Sequence, residues 1–284
     1  MLSRQLNEVR EWRGVSDLVA APVITDTAAE YVTGDVFAIA GVATISKAAN
    51  SSTEAHFYDN KPMVVISSQG ADNITLNVSA IPLDVLAELT GQYYNENTGG
   101  MVEGERVPQY FAIGYKTQKD NGDTVCVWRY KGMFNVPDQE NNTITDGTDA
   151  NGQELNFMGV STIHKFVNNP DPVTGEPRGA KAYNVNASLG LADLSTFFDT
   201  VTTPDDLTPA TTYTLTFSAG TGYTCTVTRR GVALATGADI YSGDELKIVG
   251  TGTNASVRVN GQVFPNGSIF VVGNADVTIS VGSA

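Results

Sequence analysis

The fold of this chain is decided by residues 57–91, FYDNKPMVVISSQGADNITLNVSAIPLDVLAELTG. Apolar and polar side chains alternate from Asn73 to Ala80, a period of two that predicts a strand with one face in a core and one facing water. Pro82 then stands at a predicted first helical position, and Gly91 closes a short helix. Because so short a helix is stable only when docked, the pattern predicts a sheet that carries one helix.

Composition extends this prediction to the whole chain. The 284 residues include 28 glycines and 11 prolines and are rich in Thr, Val and Asn, which favours many short strands joined by turns. Cys126 and Cys225 each alternate with strand-forming residues, so buried free thiols are expected rather than a disulfide or a metal site. No apolar run has the length of a membrane span, and no secretory signal opens the chain. We therefore expect a mainly β protein kept in a reducing cytoplasm.

Charge divides the chain into two parts. Residues 1–206 hold 27 acidic and 13 basic side chains, a net charge of −14, whereas residues 207–284 hold four of each. So acidic a chain is a poor nucleic-acid binder, because binding DNA requires cations that replace condensed counterions. Where the acidic excess ends, a stretch rich in Thr, Pro and Asp indicates a linker over residues 204–209.

Turn signals predict the remaining elements. Residues 110–116 and 124–134 form a predicted hairpin around Asn121-Gly122, the pair expected to supply the positive φ angles of a tight turn. A strand is expected over residues 154–167, followed by a loop over 168–177 that contains three prolines. Residues 210–284 alternate short β runs with turns, which predicts a small β-sandwich of immunoglobulin-like type.

No constellation of catalytic residues stands out. The two histidines, His56 and His164, have no serine in a nucleophile elbow to act on, and no glycine-rich loop has the spacing of a phosphate cradle. The loop of residues 146–154 resembles a calcium loop, but Gly147 and Met158 stand where two oxygen ligands are needed. We therefore expect no enzyme, no cofactor and no metal.

Several motifs in order resemble the major tail proteins of long-tailed, non-contractile bacteriophages, the siphoviruses. They span roughly residues 14–200 and are Val15-Ser16-Asp17-Leu18, Phe57-Tyr58-Asp59-Asn60, Leu83-Asp84-Val85, Tyr110 to Tyr115, and Trp128 to Phe134 with Pro137. The resemblance implies a tail-tube β-sandwich or barrel flanked by a helix, over residues 14–203. It also implies that an immunoglobulin-like domain, residues 210–284, follows the linker. Before the tube domain, Leu2, Leu6 and Val9 have helical spacing, which indicates either a short amphipathic N-terminal arm or a partly disordered terminus over residues 1–13.

In function, the resemblance implies a structural virion subunit. Six copies would close into a ring, and stacked rings would form the tube through which DNA is ejected, assembled in the host cytoplasm around a tape-measure protein and joined to tail terminator and distal tail proteins. An acidic lumen would let DNA pass without specific binding. The polar strand face supplies the lumen candidates, Asn73, Thr75, Asn77 and Ser79.

Contacts between subunits are expected from the polar loop of residues 92–108, since a loop without an apolar period does not enter a core. Its candidate contact residues are Asn95, Glu96, Met101, Glu103 and Glu105. The C-terminal domain is a candidate binder of host surface glycans. The alternative function is a cell-surface or secreted carbohydrate-binding adhesin, which predicts an export signal and a monomer at all concentrations.

Overall fold

The computed structural model describes residues 10–138, 152–229 and 231–283, and these fall into two compact units. The first comprises residues up to 188 and 194–207, and the second comprises residues 189–193 and those from 208 onward. The predicted helical spacing of Leu2, Leu6 and Val9 and the calcium-like part of residues 146–151 lie outside the described residues. The mainly β fold class is confirmed, since strands dominate both units and the described part contains one α-helix.

The first unit contains thirteen of the described strands and the α-helix. They are β1 (Trp12–Asp26), β2 (Tyr31–Thr33), β3 (Phe37–Ala38), β4 (Val42–Tyr58), β5 (Lys61–Val78), α1 (Leu83–Thr90), β6 (Tyr93–Asn95), β7 (Gly100–Val102), β8 (Phe111–Lys119), β9 (Thr124–Phe134), β10 (Gln153–Gly159), β11 (Phe166–Pro170), β12 (Pro177–Arg178) and β13 (Ala182–Asn186). A 3-10 helix follows at Ala187–Leu189.

One antiparallel sheet organises this unit, in the order β2-β1-β8-β9-β10-β5-β4, with β3 added to β1 and β13 added to β9. Two separate ribbons, β6-β7 and β11-β12, complete it. The β8–β9 hairpin is buried on both faces: Val127 packs into one apolar cluster, while Trp128 and Tyr130 pack into another. This double burial explains why both strands read as nearly continuous apolar runs.

Helix α1 docks as the sequence predicted. Ile81 and Leu89 are buried in the same cluster as Ile74 and Leu76 of β5, and Val85 packs against it. Gly91 ends the helix in the left-handed conformation, at φ 69°. Pro82 was expected at the first helical position but occupies the preceding N-cap, one residue earlier.

Two local predictions were wrong. The expected strand over 154–167 is two strands, because the backbone N–H groups of Ile163 and His164 donate to the carboxylate of Asp26 instead of to a neighbouring strand. The expected loop over 168–177 includes the end of β11 and the start of β12, where Pro170 and Pro177 face each other at strand ends, positions that tolerate a missing N–H.

The hairpin turn at Asn121-Gly122 also differs from its prediction. Gly122 has φ 88°, whereas Asn121 is not among the described residues with positive φ. Lys119 N–H donates to Asp123 C=O and Gly122 N–H donates to Lys119 C=O, as in a longer hairpin loop that needs one left-handed residue. The side chain of Asn121 contributes instead by accepting the N–H of Asp123.

The predicted linker over 204–209 is not free. Asp205 accepts hydrogen bonds from the backbone of Val167 and Asn168, and Leu207 packs against the cluster around Trp128, so residues up to 207 belong to the first unit. At the other end of the unit, β1 begins at Trp12, inside the stretch expected to be an arm.

The second unit is a small β-sandwich. Its strands are β14 (Thr212–Ala219), β15 (Thr224–Arg229), β16 (Val232–Ala233), β17 (Ala238–Tyr241), β18 (Glu245–Thr251), β19 (Ala255–Val259), β20 (Gln262–Phe264), β21 (Ile269–Val271) and β22 (Val277–Ser283). A sheet ordered β17-β14-β22-β19-β20 and one ordered β16-β15-β18-β21 share one apolar core. The first and last strands, β14 and β22, pair in parallel.

Candidate self-association surface

The most unusual feature of the first unit is a long two-stranded ribbon. Strand β5 pairs with β10 only from Asp72 to Val78, and the rest of β5 pairs with β4 alone. Every residue from 46 to 70 is exposed. The ten residues from Asn50 to Asp59 reach about 33 Å at strand rise. We call residues 48–70 the arm; it is a different segment from the N-terminal arm predicted over residues 1–13.

The arm turns back at Asp59 and Asn60, which have φ angles of 49° and 61°. Two consecutive residues in the left-handed region make a type I′ turn, whose twist matches that of the flanking strands, and Asp and Asn tolerate this region best after glycine. The arm is therefore an extended hairpin, whose register shifts between Ala49 and Ser51 and again between His56 and Phe57.

Apolar side chains cluster towards the tip of the arm. Phe57 is 66 % exposed, Met63 65 % and Val65 64 %, and Val64 and Ile66 are exposed as well. A two-stranded ribbon is marginally stable alone in water, and unpaired strand edges beside exposed apolar side chains are a template for association. The arm thus has the chemistry of a surface that another chain covers.

The arm is also low in charge. The sequence has no charged residue between Lys47 and Glu54, and none between Lys61 and Asp72, although the first 206 residues carry a net charge of −14. Bringing two such acidic chains together costs Coulomb energy wherever their carboxylates approach. An uncharged stretch is where copies of the chain approach each other at least cost.

Three lumen candidates, Asn73, Thr75 and Asn77, lie in β5 on the face opposite the core, and Ser79 follows the strand end. Two of these side chains form cross-strand hydrogen bonds: Asn77 Nδ2 donates to Thr44 Oγ1 (2.7 Å), and Thr75 Oγ1 donates to Asn156 Oδ1 (2.9 Å).

This polar face is almost neutral. Opposite the three β5 residues lie Thr44, Ser46 and Ala48 of β4 and Glu154, Asn156 and Met158 of β10. Glu154 is the one charged side chain among these described residues, so the acidic excess of the unit is not concentrated here. The face offers amides and hydroxyls, and those of Thr44, Thr75, Asn77 and Asn156 bond to one another in pairs.

The loop expected to contact other subunits contains a short hairpin, β6–β7, followed by residues 103–108 without strand structure. Glu96, Glu103 and Glu105 are exposed, whereas Asn95 and Met101 are half-buried. Arg106 ties its base to the unit, donating from Nε to Thr90 C=O (3.0 Å) and from Nη2 to Phe134 C=O (2.9 Å). The hairpin is therefore ordered by contacts within its own chain. The sequence did not reveal these contacts, because the loop has no apolar period.

Groups with catalytic potential are dispersed. His56 is exposed on the arm, and Nδ1 of His164 is buried without a hydrogen-bond partner among the described residues. Across the described ranges, no three His, Cys, Asp or Glu side chains are grouped so as to hold a metal ion. Cys126 and Cys225 are free, with Cys126 buried and Cys225 half-buried. No helix in the described part has the length and hydropathy needed to cross a membrane.

Comparison with known proteins leaves the function to be argued from these surfaces. No protein-family model matches the chain, and no curated protein matches it. The arm, the neutral polar face and the β6–β7 hairpin are the features that a functional proposal has to explain.

Proposed function

We propose that this chain is a structural subunit that polymerises with copies of itself, as stacked hexameric rings that form the tail tube of a long-tailed phage. The observation that carries the proposal is the arm. Its edges and apolar side chains need a partner, and a second copy supplies the same unpaired strands.

A closed ring is the arrangement that uses the arm safely. When each arm pairs with the next copy, a head-to-tail interface either closes into a ring or continues as an open fibre. Closure removes every strand edge without uncontrolled aggregation, as in a β-barrel. The β6–β7 hairpin, with Glu96 exposed, and the segment after it, with Glu103 and Glu105 exposed, supply a second contact to neighbouring copies.

The polar face of β4, β5 and β10 suits the wall of a channel for DNA. Thr75 and Asn77 are hydrogen-bonded within the subunit, and the amides and hydroxyls of this face offer no cations to phosphate, so a passing duplex meets no specific binding site. In this proposal the lumen also holds a tape-measure protein, the tube ends meet terminator and distal tail proteins, and the second unit decorates the outside, where it contacts host surface glycans.

Assembly is tested by placing a carboxylate on the arm. Val65→Asp puts a charge into the proposed interface and should weaken self-association about a hundredfold, since an uncompensated buried charge costs about 3 kcal/mol. The matched control is Val263→Asp, because Val263 lies in β20 of the other unit and is similarly exposed, at 68 % against 64 %. Circular dichroism and thermal unfolding verify that both variants fold.

Negative-stain microscopy and sedimentation velocity give the readout. The wild type and Val263→Asp should form rings or tubes, and Val65→Asp should remain monomeric at the same concentration. A wild type that stays monomeric at all concentrations rejects the proposal and favours the adhesin. Tubes formed equally well by Val65→Asp would show that the arm is not the interface.

The lumen assignment has its own test. In a Cys225→Ser background, Asn73→Cys places a thiol on the polar face while Cys126 remains buried. After assembly, a small maleimide should label position 73 and a bulky polyethylene glycol maleimide should not. Equal labelling by both reagents would place the polar face on the outside.

A further inference from the structure

A groove in the first unit collects cations. It has a volume of about 660 Å³, and its charged lining residues are Lys47, Asp72, Arg129, Arg178 and Lys181. Asp171 lies outside the lining, 3.8 Å from Arg178. Four cations therefore face two carboxylates, in a unit whose sequence is strongly acidic.

Asp72 cannot satisfy the cations that surround it. Lys181 Nζ lies 3.1 Å from its carboxylate, within hydrogen-bond distance, whereas Lys47 Nζ is 3.6 Å away and Arg129 Nη1 is 3.7 Å away. The last two distances are too long for a hydrogen bond. One carboxylate is thus shared by three cations, and a positive charge of about two remains in the groove.

Arg129 is the residue that most requires a further partner. Its side chain is only 9 % exposed, and among the described residues its guanidinium donates one hydrogen bond, from Nε to Tyr115 Oη (3.2 Å). Removing a guanidinium from water costs several kcal/mol unless its remaining N–H groups find acceptors. Its terminal nitrogens donate no hydrogen bond to the described residues, and a planar guanidinium of this kind matches the two oxygens of a carboxylate or phosphate.

We propose that this groove is a binding site for an oxyanion, a carboxylate or a phosphate, held by Arg129, Lys47 and Lys181 with Arg178 at the rim. Two of the cations lie in β4 and β9 of the main sheet, a third precedes β13 of the same sheet, and Arg178 comes from β12 of the separate β11–β12 ribbon. The inference does not rest on the proposed assembly, because every residue that carries it lies in the first unit of one chain.

Two sources of this ligand share the same chemistry: a free anion from solution, and a carboxylate side chain of a second copy. Inorganic phosphate and citrate are the probes, added at an ionic strength matched with sodium chloride so that general screening cancels. Isothermal calorimetry measures binding to the whole chain, and thermal unfolding measures the stabilisation that binding produces.

Substitutions of two groove cations, compared with a lysine substitution outside the groove, locate the binding site. Lys47→Met and Arg178→Gln should each weaken binding about fivefold, the loss expected for a partly exposed ion pair. The control is Lys116→Met, because Lys116 is exposed to a similar degree as Lys47, 39 % against 43 %, and also pairs with one aspartate, yet lies outside the groove. Lys116→Met should bind phosphate like the wild type.

Sedimentation velocity then distinguishes the sources. If phosphate disperses self-associated chains, and Lys47→Met weakens their association, the natural ligand is a carboxylate of a second copy. If phosphate binds and leaves association unchanged, the ligand is a free anion. The proposal is overturned if neither probe binds or stabilises the chain at matched ionic strength, or if Lys116→Met weakens binding as much as Lys47→Met.

Discussion

Lys131 Nζ donates a 2.7 Å hydrogen bond to the carboxylate of Asp26 across 105 residues of chain, and both side chains are nearly buried, at 11 % and 3 % exposure. The same carboxylate accepts the backbone N–H groups of Ile163 and His164. Burial alone would raise the pKa of Asp26, but these hydrogen bonds outweigh it and leave the pKa below its ordinary value. The end of β1, β9 and the segment after β10 are thereby fastened at one point.

Asp26→Asn should destabilise the chain by about 3 kcal/mol at pH 7, because it leaves Lys131 buried without its counter-charge. Urea unfolding measures the loss. Asp120→Asn, in the exposed β8–β9 turn, is the control and should stay within about 0.5 kcal/mol of the wild type. Equal stability of Asp26→Asn and the control would contradict this account of the pair.

The same carboxylate predicts a pH dependence. Its folded-state pKa lies below the unfolded value of about 4, so its stabilisation is complete above that pH and is lost as pH falls through the folded-state pKa. Unfolding free energies measured between neutral and acidic pH should therefore fall less steeply for Asp26→Asn than for the wild type. Parallel curves would show that Asp26 does not contribute to acid unfolding.

Alanine substitutions at Gly91 and Gly99 allow the energetic cost of left-handed backbone strain to be measured apart from the cost of steric overlap. Gly91 and Gly99 have nearly equal φ angles, 69° and 66°, but a Cβ on Gly91 would overlap the carbonyl of Val107, whereas a Cβ on Gly99 meets only Tyr94 Oη, at 3.8 Å. Gly99→Ala should cost about 1 kcal/mol, the left-handed strain alone. Gly91→Ala should cost about 3 kcal/mol, with the overlap added. Similar unfolding free energies for the two would show that the Val107 segment yields easily.

Tyr130 holds the last segment of the first unit onto β9. Its hydroxyl donates to Thr202 C=O (3.1 Å), beside the bond from Trp128 Nε1 to Phe197 C=O (2.8 Å). Tyr130→Phe leaves a buried carbonyl unpaired and should cost about 1–2 kcal/mol. Tyr58→Phe, on the exposed arm, should cost almost nothing. Hydrogen exchange should accelerate around residues 197–203 in Tyr130→Phe; unchanged exchange there would refute the anchoring role.

The two thiols should react at different rates. Burial raises the pKa of Cys126 and also that of Cys225, so neither is activated, and Cys126 is in addition enclosed beside Trp128. With an aromatic disulfide reagent at pH 8, Cys225 should react first and Cys126 only as the chain unfolds in urea. Cys126 reacting as fast as Cys225 in the native protein would contradict its burial.

Sequence reasoning succeeded where local pattern and burial coincide. The alternation from Asn73 to Val78 corresponds to one face of β5 in the core, and the stripe of Ile81, Val85 and Leu89 is the docked face of α1. In both elements the period of the side chains reports directly on the surface that is buried. The β8–β9 hairpin was found for the same reason, although its turn differs in detail.

The distal part of strand β4 was not predicted, because beyond Ile45 it has no core to face. Residues 47–56, KAANSSTEAH, are small or polar, and their strand geometry comes from pairing with β5 rather than from their own propensity. A signal was nevertheless present, since Asp59-Asn60 is a turn pair that implies a strand on each side. For the arm, on which the proposed function depends, the sequence therefore indicates the turn but not the β4 strand that precedes it.

The cationic groove had no local signal at all. Lys47, Arg129 and Lys181 are spread over more than 130 positions and meet only through the strand order β9-β10-β5-β4 and the added strand β13. No spacing rule relates residues on strands that are not consecutive, so such a cluster emerges only from the topology.

The pairing of β1 with β8 has a consequence during synthesis. Pro22 of β1 lies opposite Phe111, and Trp12 lies opposite Lys119. The β8 residue that pairs with each of them is therefore synthesised roughly 90 to 110 residues later. At ordinary translation speed this interval lasts about 5–20 s. Throughout it, β1 can pair only with β2 and β3, so the edge of β1 that later meets β8 stays open, and an unpaired strand edge of this kind favours aggregation during synthesis.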